Sequence, residues 1–353
     1  MNDNLLSACM IVRNESGVVG KAIQSLRGLA DEVIVVDTGS TDDTPLVSQR
    51  AGAKVFHSPW RDDFAYHRNE SIAYATGKWV LIIDADETVE AGDFADTRRR
   101  LAANGLPDVL MVKHWSTYPG GDRVLEYLPR ILRKSAPIRY QHRLHEQLTV
   151  NGNEALLSNV VMSHQGYEQA ERLSSKNERN ARIAALMPDD EPHTHHCRMR
   201  AQVALNRWDD AKESAQRLLT LPNIPDAVAY DAHVVLAAAH FRLPQEGGAH
   251  PEFHEHLQKA RTIDPYAPDV PYLEMLSAAT NYLAALDLAN APGSQTFLRI
   301  GHFWRAGTQV REAVRVMAGG PLTATWARGQ SVPPGRSNAM AEMKTTPRQP
   351  QRN

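Results

Sequence analysis

Val33-Ile34-Val35-Val36-Asp37-Thr38-Gly39-Ser40-Thr41-Asp42 is an apolar run that stops in an acid and a turn of small residues. It reads as a buried strand, beginning at Glu32, that delivers Asp37 to a loop. Upstream, Leu5 to Val12 is a second apolar run opening into Arg13-Asn14-Glu15. Between the two, Val18, Val19, Ala22, Ile23, Leu26 and Leu29 recur at helical spacing. Downstream, Asp42-Asp43-Thr44-Pro45 starts a helix through Gln49, Gly52 stops it, and Lys54 to His57 suggests a third strand. Residues 64 to 76 read as helix, and Gly77 breaks it before Trp79 to Ile83, the most apolar strand of the chain. Alternating strands and helices of this kind predict an α/β fold with a parallel sheet. Ligand chemistry then belongs at the carboxyl ends of the strands.

From Leu110 to Met162 the pattern shifts to shorter pieces, Leu110 to Lys113, Tyr127 to Arg133 and Gln147 to Val150, which predict a mixed-sheet extension of the same domain. Beyond Gly166 the chain is helical, with Ala-rich stretches at 198–220, 227–242 and 253–263. Leu218-Leu219-Thr220-Leu221-Pro222 and Arg261-Thr262-Ile263-Asp264-Pro265 form a weak repeat with an offset of 43 residues. A tetratricopeptide unit has about 34, and the loop-like Gln245 to Phe253 accounts for the excess; an unrelated helical bundle is the alternative. Past Gly319, prolines among Gly, Ser and basic residues predict a disordered tail. The expected domains are therefore 1–168, 169–320 and a tail at 321–353.

The 353 residues, 42% of them hydrophobic, suffice for about two cores. Thirty-nine Lys and Arg against 41 Asp and Glu give a net charge of −2, which disfavours a nucleic-acid-coating role. No apolar stretch reaches the roughly 18 residues of a membrane span. The Met-Asn-Asp-Asn start lacks the features of a secretory signal, so the expectation is a cytoplasmic protein. Cys9 and Cys197 are too few for a disulfide framework or a Cys-rich zinc module.

The strongest chemical signal is Val80-Leu81-Ile82-Ile83-Asp84-Ala85-Asp86-Glu87. Burying three unpaired carboxylates is costly, so they are expected to emerge at the strand end, where oxygen ligands suit Mg²⁺ or Mn²⁺. Alone, such a triplet is usually a solvated loop. Asp37 suits a nucleobase N–H or a ribose hydroxyl, whereas Asp42 reads better as a turn or helix-cap residue.

Five motifs in order carry a resemblance: Met10-Ile11-Val12-Arg13-Asn14-Glu15; Val35-Val36-Asp37-Thr38-Gly39-Ser40-Thr41-Asp42; Trp60-x-Asp62-Asp63-Phe64-Ala65-x-x-Arg68-Asn69; Asp84-Ala85-Asp86-Glu87; and Arg143-Leu144-His145-Glu146. Over residues 5 to 170 the chain resembles inverting family-2 glycosyltransferases of the branch that joins a GT-A domain to tetratricopeptide helices. The helical half resembles that branch only loosely. The resemblance implies a Rossmann-like GT-A domain followed by an all-α, tetratricopeptide-like domain, with a UDP-type nucleotide sugar as donor and Mn²⁺ or Mg²⁺ as cofactor. It implies that Val12, Arg13, Asn14, Glu15, Asp37 and Arg68 hold the nucleotide, with Asp84 and Ala85 beside it. It further implies that Asp86 ligates the metal directly, that Asp84 contacts the ribose or a metal-bound water, and that Glu146 is the general base. For Arg68 the alternative is a surface ion pair with Asp62 or Asp63. For Glu146 it is an ion pair with Arg143 or Arg139, or a role for His145 instead. His164, before Gly166-Tyr167, either completes the metal site or caps the domain junction; His142 and His145 are weaker candidates.

His193-Thr194-His195-His196-Cys197 reads as the start of a helix rather than a zinc site. Trp208 fits helix packing, while Trp60, Trp115 and Tyr118 fit either a sugar subsite or the core. The acceptor stays open between glycan, lipid-linked saccharide and protein side chain, as does the oligomeric state. An inactive nucleotide-sugar-binding interaction protein and a nucleotidyltransferase are the other readings.

Overall fold

The computed structural model describes residues 4–90, 92–117, 123–149, 156–165, 170–242 and 251–267, with single positions up to 277. The expected tail at 321–353, Tyr118 and the Gly166-Tyr167 pair lie outside the described residues. The three runs that open the chain become β1 (Leu6–Val12), β2 (Glu32–Asp37) and β3 (Lys54–His57), joined by α1 (Val19–Ser25) and α2 (Thr44–Ala51). α3 (Phe64–Tyr74) leads to β4 (Trp79–Ile82). Four parallel strands run β3-β2-β1-β4, with Val12 level with Asp37 and Cys9 level with Ile82. The carboxyl ends of β1, β2 and β4 therefore share one edge.

β1, β2 and β4 read as continuous apolar runs because both faces are covered. Side chains alternate across a strand. Met10, Val35 and Leu81 pack under α1, against Ala22, Ile23 and Leu26. Cys9, Ile34, Val80 and Ile82 pack on the other face, with Ile72 and Ala75. Burying each large member contributes roughly 1.5–3 kcal/mol, which makes this half a rigid base for its loops. Gly77 is fixed by close approach, since a Cβ there would lie 2.7 Å from the Ser7 main-chain nitrogen.

The extension is mixed, as expected. After β5 (Glu87–Val89) and α4 (Phe94–Ala102) come β6 (Val109–Thr117) and β7 (Arg123–Arg133), then the small pair β8 (Tyr140–Gln141) and β9 (Gln147–Leu148), and β10 (Leu156–Gln165). The sheet continues β4-β7-β6-β10-β5; β7 is antiparallel to β4 and β6, and β10 is parallel to β6. Two elements fall outside the expectation. β5 has three residues, too few for a period, and α4 is dominated by Asp and Arg, its start marked by Asp93 accepting the Asp96 N–H at 2.8 Å.

Among the described residues five helices follow: α5 (Ala170–Ala185), α6 (Pro192–Ala204), α7 (Trp208–Leu219), α8 (Asp226–Arg242) and α9 (Pro251–Ile263). Each packs on its successor, the antiparallel-neighbour logic of helix pairs. The Ala-rich stretch at 198–220 spans two helices, α6 and α7, which part at Asn206, where φ is a left-handed 58°. Pro251 to Phe253 belong to α9 rather than to the expected insert, and Phe253 is buried. The described residues up to Leu273 make one compact unit. Within that unit, Ile183, Ala184, Met187 and Cys197 pack on Leu144, Trp60 and Phe64. No helix among the described residues is long and apolar enough to cross a membrane.

Candidate active site

The loops after β1 and β2 are stitched together by main-chain bonds. The Val12 carbonyl accepts from the Thr38 N–H at 2.9 Å and from its hydroxyl at 3.0 Å. The Asn14 N–H donates to Ser40 Oγ at 2.9 Å, and Asn14 Oδ1 accepts from the Thr41 N–H at 2.7 Å. This exchange needs Asn14 at φ 57°, a conformation that Asn tolerates better than most residues. The Glu15 N–H donates to Thr44 Oγ1. Asp42 accepts the N–H groups of Ser16 and Thr44, the turn-and-cap role expected of it. Arg13 is exposed and Val12 lies in the core. Asp37 is buried, its carboxylate taking the N–H groups of Gly39 and Ser40 and facing His57 Nδ1, all at 3.3 Å.

Asp84 leaves β4 on the same edge. Its Oδ1 accepts from Arg68 Nη2 at 2.9 Å and its Oδ2 lies 3.6 Å from Arg130 Nη2. Burial opposes ionisation of Asp84, but the two guanidiniums outweigh it and hold the carboxyl well below the usual range. Ala85 packs in the core. Asp86 is exposed and meets His164 Nε2 at 3.0 Å; this hydrogen bond, against partial burial, raises the His164 pKa. Glu87 departs from the expectation that all three acids emerge. It is 2% exposed, accepts the Asp84 N–H at 2.8 Å, and pairs with Arg130 at 2.6 Å and His114 at 2.9 Å. Arg130 and His114 supply the charge and donor that make burial tolerable. They were not among the expected site residues, and neither sits in a motif.

Arg68 also departs from its surface alternative. It lies on the inner face of α3 with Ala65 and Ile72, 9% exposed, and its Nε donates to Glu146 Oε1. Asp62 instead binds Trp60 Nε1 at 2.7 Å and Arg182 at 2.8 Å, and Asp63 caps α3 through the Tyr66 N–H. Buried Arg68 Nη1 has no partner among the described residues. Glu146 thus pairs with Arg68, not with Arg143 or Arg139, and Arg68 ties it to Asp84.

The structure gathers Arg68, Asp84 and Glu146 into one ion-pair network, and Asp86 with His164 into a second pair. Val12, Arg13, Asn14, Glu15 and Asp37 line the neighbouring loops of the same edge. Among the described residues no three His, Cys, Asp or Glu side chains gather as a metal site, the 193–197 cluster included. That cluster lies in α6, as the helix reading expects. Trp60 packs on Phe64 and His67, Trp208 is buried with Nε1 bonded to Asn206, and Trp115 carries Arg123 over its ring at 4.7 Å.

Residues 7–157 match the family model of Glycosyl transferase family 2. A TPR repeat-containing protein of Synechococcus elongatus is 39% identical over 143 residues, 40% of this chain and 34% of that protein. The SPbeta prophage-derived glycosyltransferase SunS of Bacillus subtilis is 30% identical over 193 residues, 52% of this chain and 45% of that protein. The chain thus spans about a third to a half of the length of these relatives. Among solved structures, glucosyl-3-phosphoglycerate synthase from Mycobacterium tuberculosis, crystallised with Mn²⁺, UDP and glucosyl-3-phosphoglycerate, is 26% identical over 32% of this chain and 44% of that one, with a TM-score of 0.26. S. aureus TarS 1–349 is 14% identical over 74% and 90%, with a TM-score of 0.42.

Proposed function

We propose that residues 7–157, which match the model of Glycosyl transferase family 2, are the GT-A catalytic domain of a metal-dependent inverting glycosyltransferase using a UDP-type nucleotide sugar. The observation that carries this reading is the convergence, at one sheet edge, of Asp84 with the buried Arg68 and Glu146, beside an exposed Asp86–His164 pair. The loops ending β1 and β2 hold the nucleotide, through Val12, Arg13, Asn14, Glu15 and Asp37, with main-chain groups already fixed before the ligand arrives. Ala85 contributes main chain at the same edge.

A carboxylate beside an imidazole is a donor set that fits Mn²⁺ or Mg²⁺ when ligand oxygens complete the shell. The partnerless Arg68 Nη1 fits an anionic ligand in the same place. Asp86 and His164 would hold the ion. The ion, when bound, neutralises charge building on the diphosphate leaving group. The Asp84 carboxyl, held well below the usual range by Arg68 and Arg130, keeps its charge beside that site, and Arg68 adds a permanent positive charge. Glu146 takes the proton from an acceptor hydroxyl or thiol as that atom attacks the anomeric carbon from the face opposite the nucleotide, inverting it. The acceptor is a glycan, a lipid-linked saccharide or a protein side chain, chosen in part by the helical region.

The test is calorimetric titration of UDP and a panel of UDP-sugars, with Mn²⁺ and with chelator, into wild type and Asp86→Ala. Wild type is expected to bind at least about tenfold more tightly with Mn²⁺, a difference of ~1.4 kcal/mol, and Asp86→Ala is expected to lose that difference. Folded wild-type protein that binds no nucleotide overturns the reading.

A further inference from the structure

The loop that carries Glu146 is improbable on local grounds. His142 and His145 both take left-handed conformations, at φ 68° and 51°, although neither is glycine. Such residues persist where surrounding structure over-determines them. The β8–β9 ladder closes the loop's ends, pairing Tyr140 with Leu148 and Gln141 with Gln147, but Leu144 and its neighbours lie beyond those pairs. What fixes them comes from the helical region.

Leu144 is 3% exposed, its side chain covered by Ile183 and Ala184 of α5, by Met187, and by Cys197 of α6. Its carbonyl lies 2.9 Å from His193 Nε2, on the first turn of α6. A carbonyl can only accept, so Nε2 of His193 bears the proton and donates. Burial pushes His193 down to about 4, leaving the ring neutral near pH 7. The His142 ring stacks on it at 4.1 Å between centroids. On the other side of the loop, the Phe64 N–H donates to the Arg143 carbonyl at 2.9 Å.

We infer that His193 and Leu144 are positioning residues: the helical region, through α6, clamps the main chain two residues before Glu146 and so aims its carboxylate. The inference rests on the reading of Glu146 as the base. Arg68 on α3 holds the side chain from within the α/β domain, and α6 holds the backbone from outside it. The helices therefore complete the reacting half of the site while leaving the nucleotide half to the sheet. An error near 1 Å in such a group is enough to cost about a hundredfold in rate.

The test compares full-length wild type, His193→Leu and His193→Gln. Leu keeps bulk without a donor, and Gln returns an N–H near the position of Nε2. Amide hydrogen exchange of peptides covering 142–147, UDP affinity with Mn²⁺, and release of UDP from the UDP-sugar that wild type binds are measured on each. His193→Leu is expected to speed exchange in 142–147 about tenfold or more, leave the peptides of β1 and β4 unchanged, keep UDP affinity within about twofold, and lower kcat without raising KM for donor. His193→Gln is expected to recover most of both losses. Wild-type exchange in 142–147 for His193→Leu, or equal loss in Leu and Gln variants, overturns the clamp. If His193→Leu does not fold, His193→Asn, whose shorter amide misses the Leu144 carbonyl, is set against His193→Gln with the same expectations. The exchange measurement needs no substrate, so its outcome is separate from that of the base: full turnover in Glu146→Gln with fast exchange in His193→Leu removes the base reading and leaves the clamp.

Discussion

The loops after β1 and β2 and the loop before β9 both present acids to the same site, but they are held in opposite ways. The first pair are fixed from within the sheet domain, by Val12 to Thr38, Asn14 to Ser40 and Thr41, and Glu15 to Thr44. The Glu146 loop is held by Arg68 on α3 of that domain and, from outside it, by His193 on α6. A binding surface that must be ready before its ligand arrives is built on the rigid parallel half, with short-range bonds. The group that reacts is hung between two separate supports, so its placement can be altered without touching the binding surface.

The largest effect is expected where the sheet half buries charge. Arg130→Met leaves Glu87 buried without its guanidinium, and losing one partner of such a pair costs about 3–5 kcal/mol. Denaturant unfolding checks this; a loss under about 1 kcal/mol would mean that His114 alone satisfies Glu87. A smaller effect, confined to the other half, comes from acid. Burial lowers His193 to about 4 and His145, also beside Arg200, to about 3. Both values lie below the roughly 6.5 of an unfolded histidine, so the unfolded chain binds more protons once the pH drops past 6.5. Stability is full above that pH and falls as the pH goes from about 6.5 towards 4, by on the order of 1 kcal/mol per unit for each ring. Melting curves at pH 7.5 and 5.0 should show His193→Gln less acid-sensitive than wild type; identical pH slopes would remove His193 from the buried neutral state. The smallest effect is at Asn14. Asn14→Ala should cost roughly 1 kcal/mol more than Asn14→Gly, because only the glycine takes φ 57° without strain. Equal melting temperatures for the two would show the turn relaxing.

The same contrast governs what could be read from the sequence. Strands β1, β2 and β4 were legible because burial on both faces writes a continuous apolar run, and an acid marks the end of β2 and of β4. β5 left no such trace in three residues, and the break at Asn206 is a single left-handed residue inside an Ala-rich stretch. Arg68 announced its burial faintly, by sharing the i, i+3, i+7 face of α3 with Ala65 and Ile72. Its partners, 16 and 78 residues away, leave no local pattern. Glu87 was misplaced because the neutralising charge comes from Arg130, on a strand 43 residues further on. His193 was visible only as one of a run of histidines, since its partner is a main-chain carbonyl, which has no sequence signature.

The most direct measurement is a titration of UDP, with Mn²⁺ present, into Glu146→Gln, alongside release of UDP from the bound UDP-sugar by the same protein. Binding within about twofold of wild type, with turnover lowered by roughly 10²–10⁴-fold, is the expected result, because Glu146 meets the nucleotide half only through Arg68. Loss of UDP affinity together with turnover would place Glu146 in the nucleotide surface and contradict the division between the two halves.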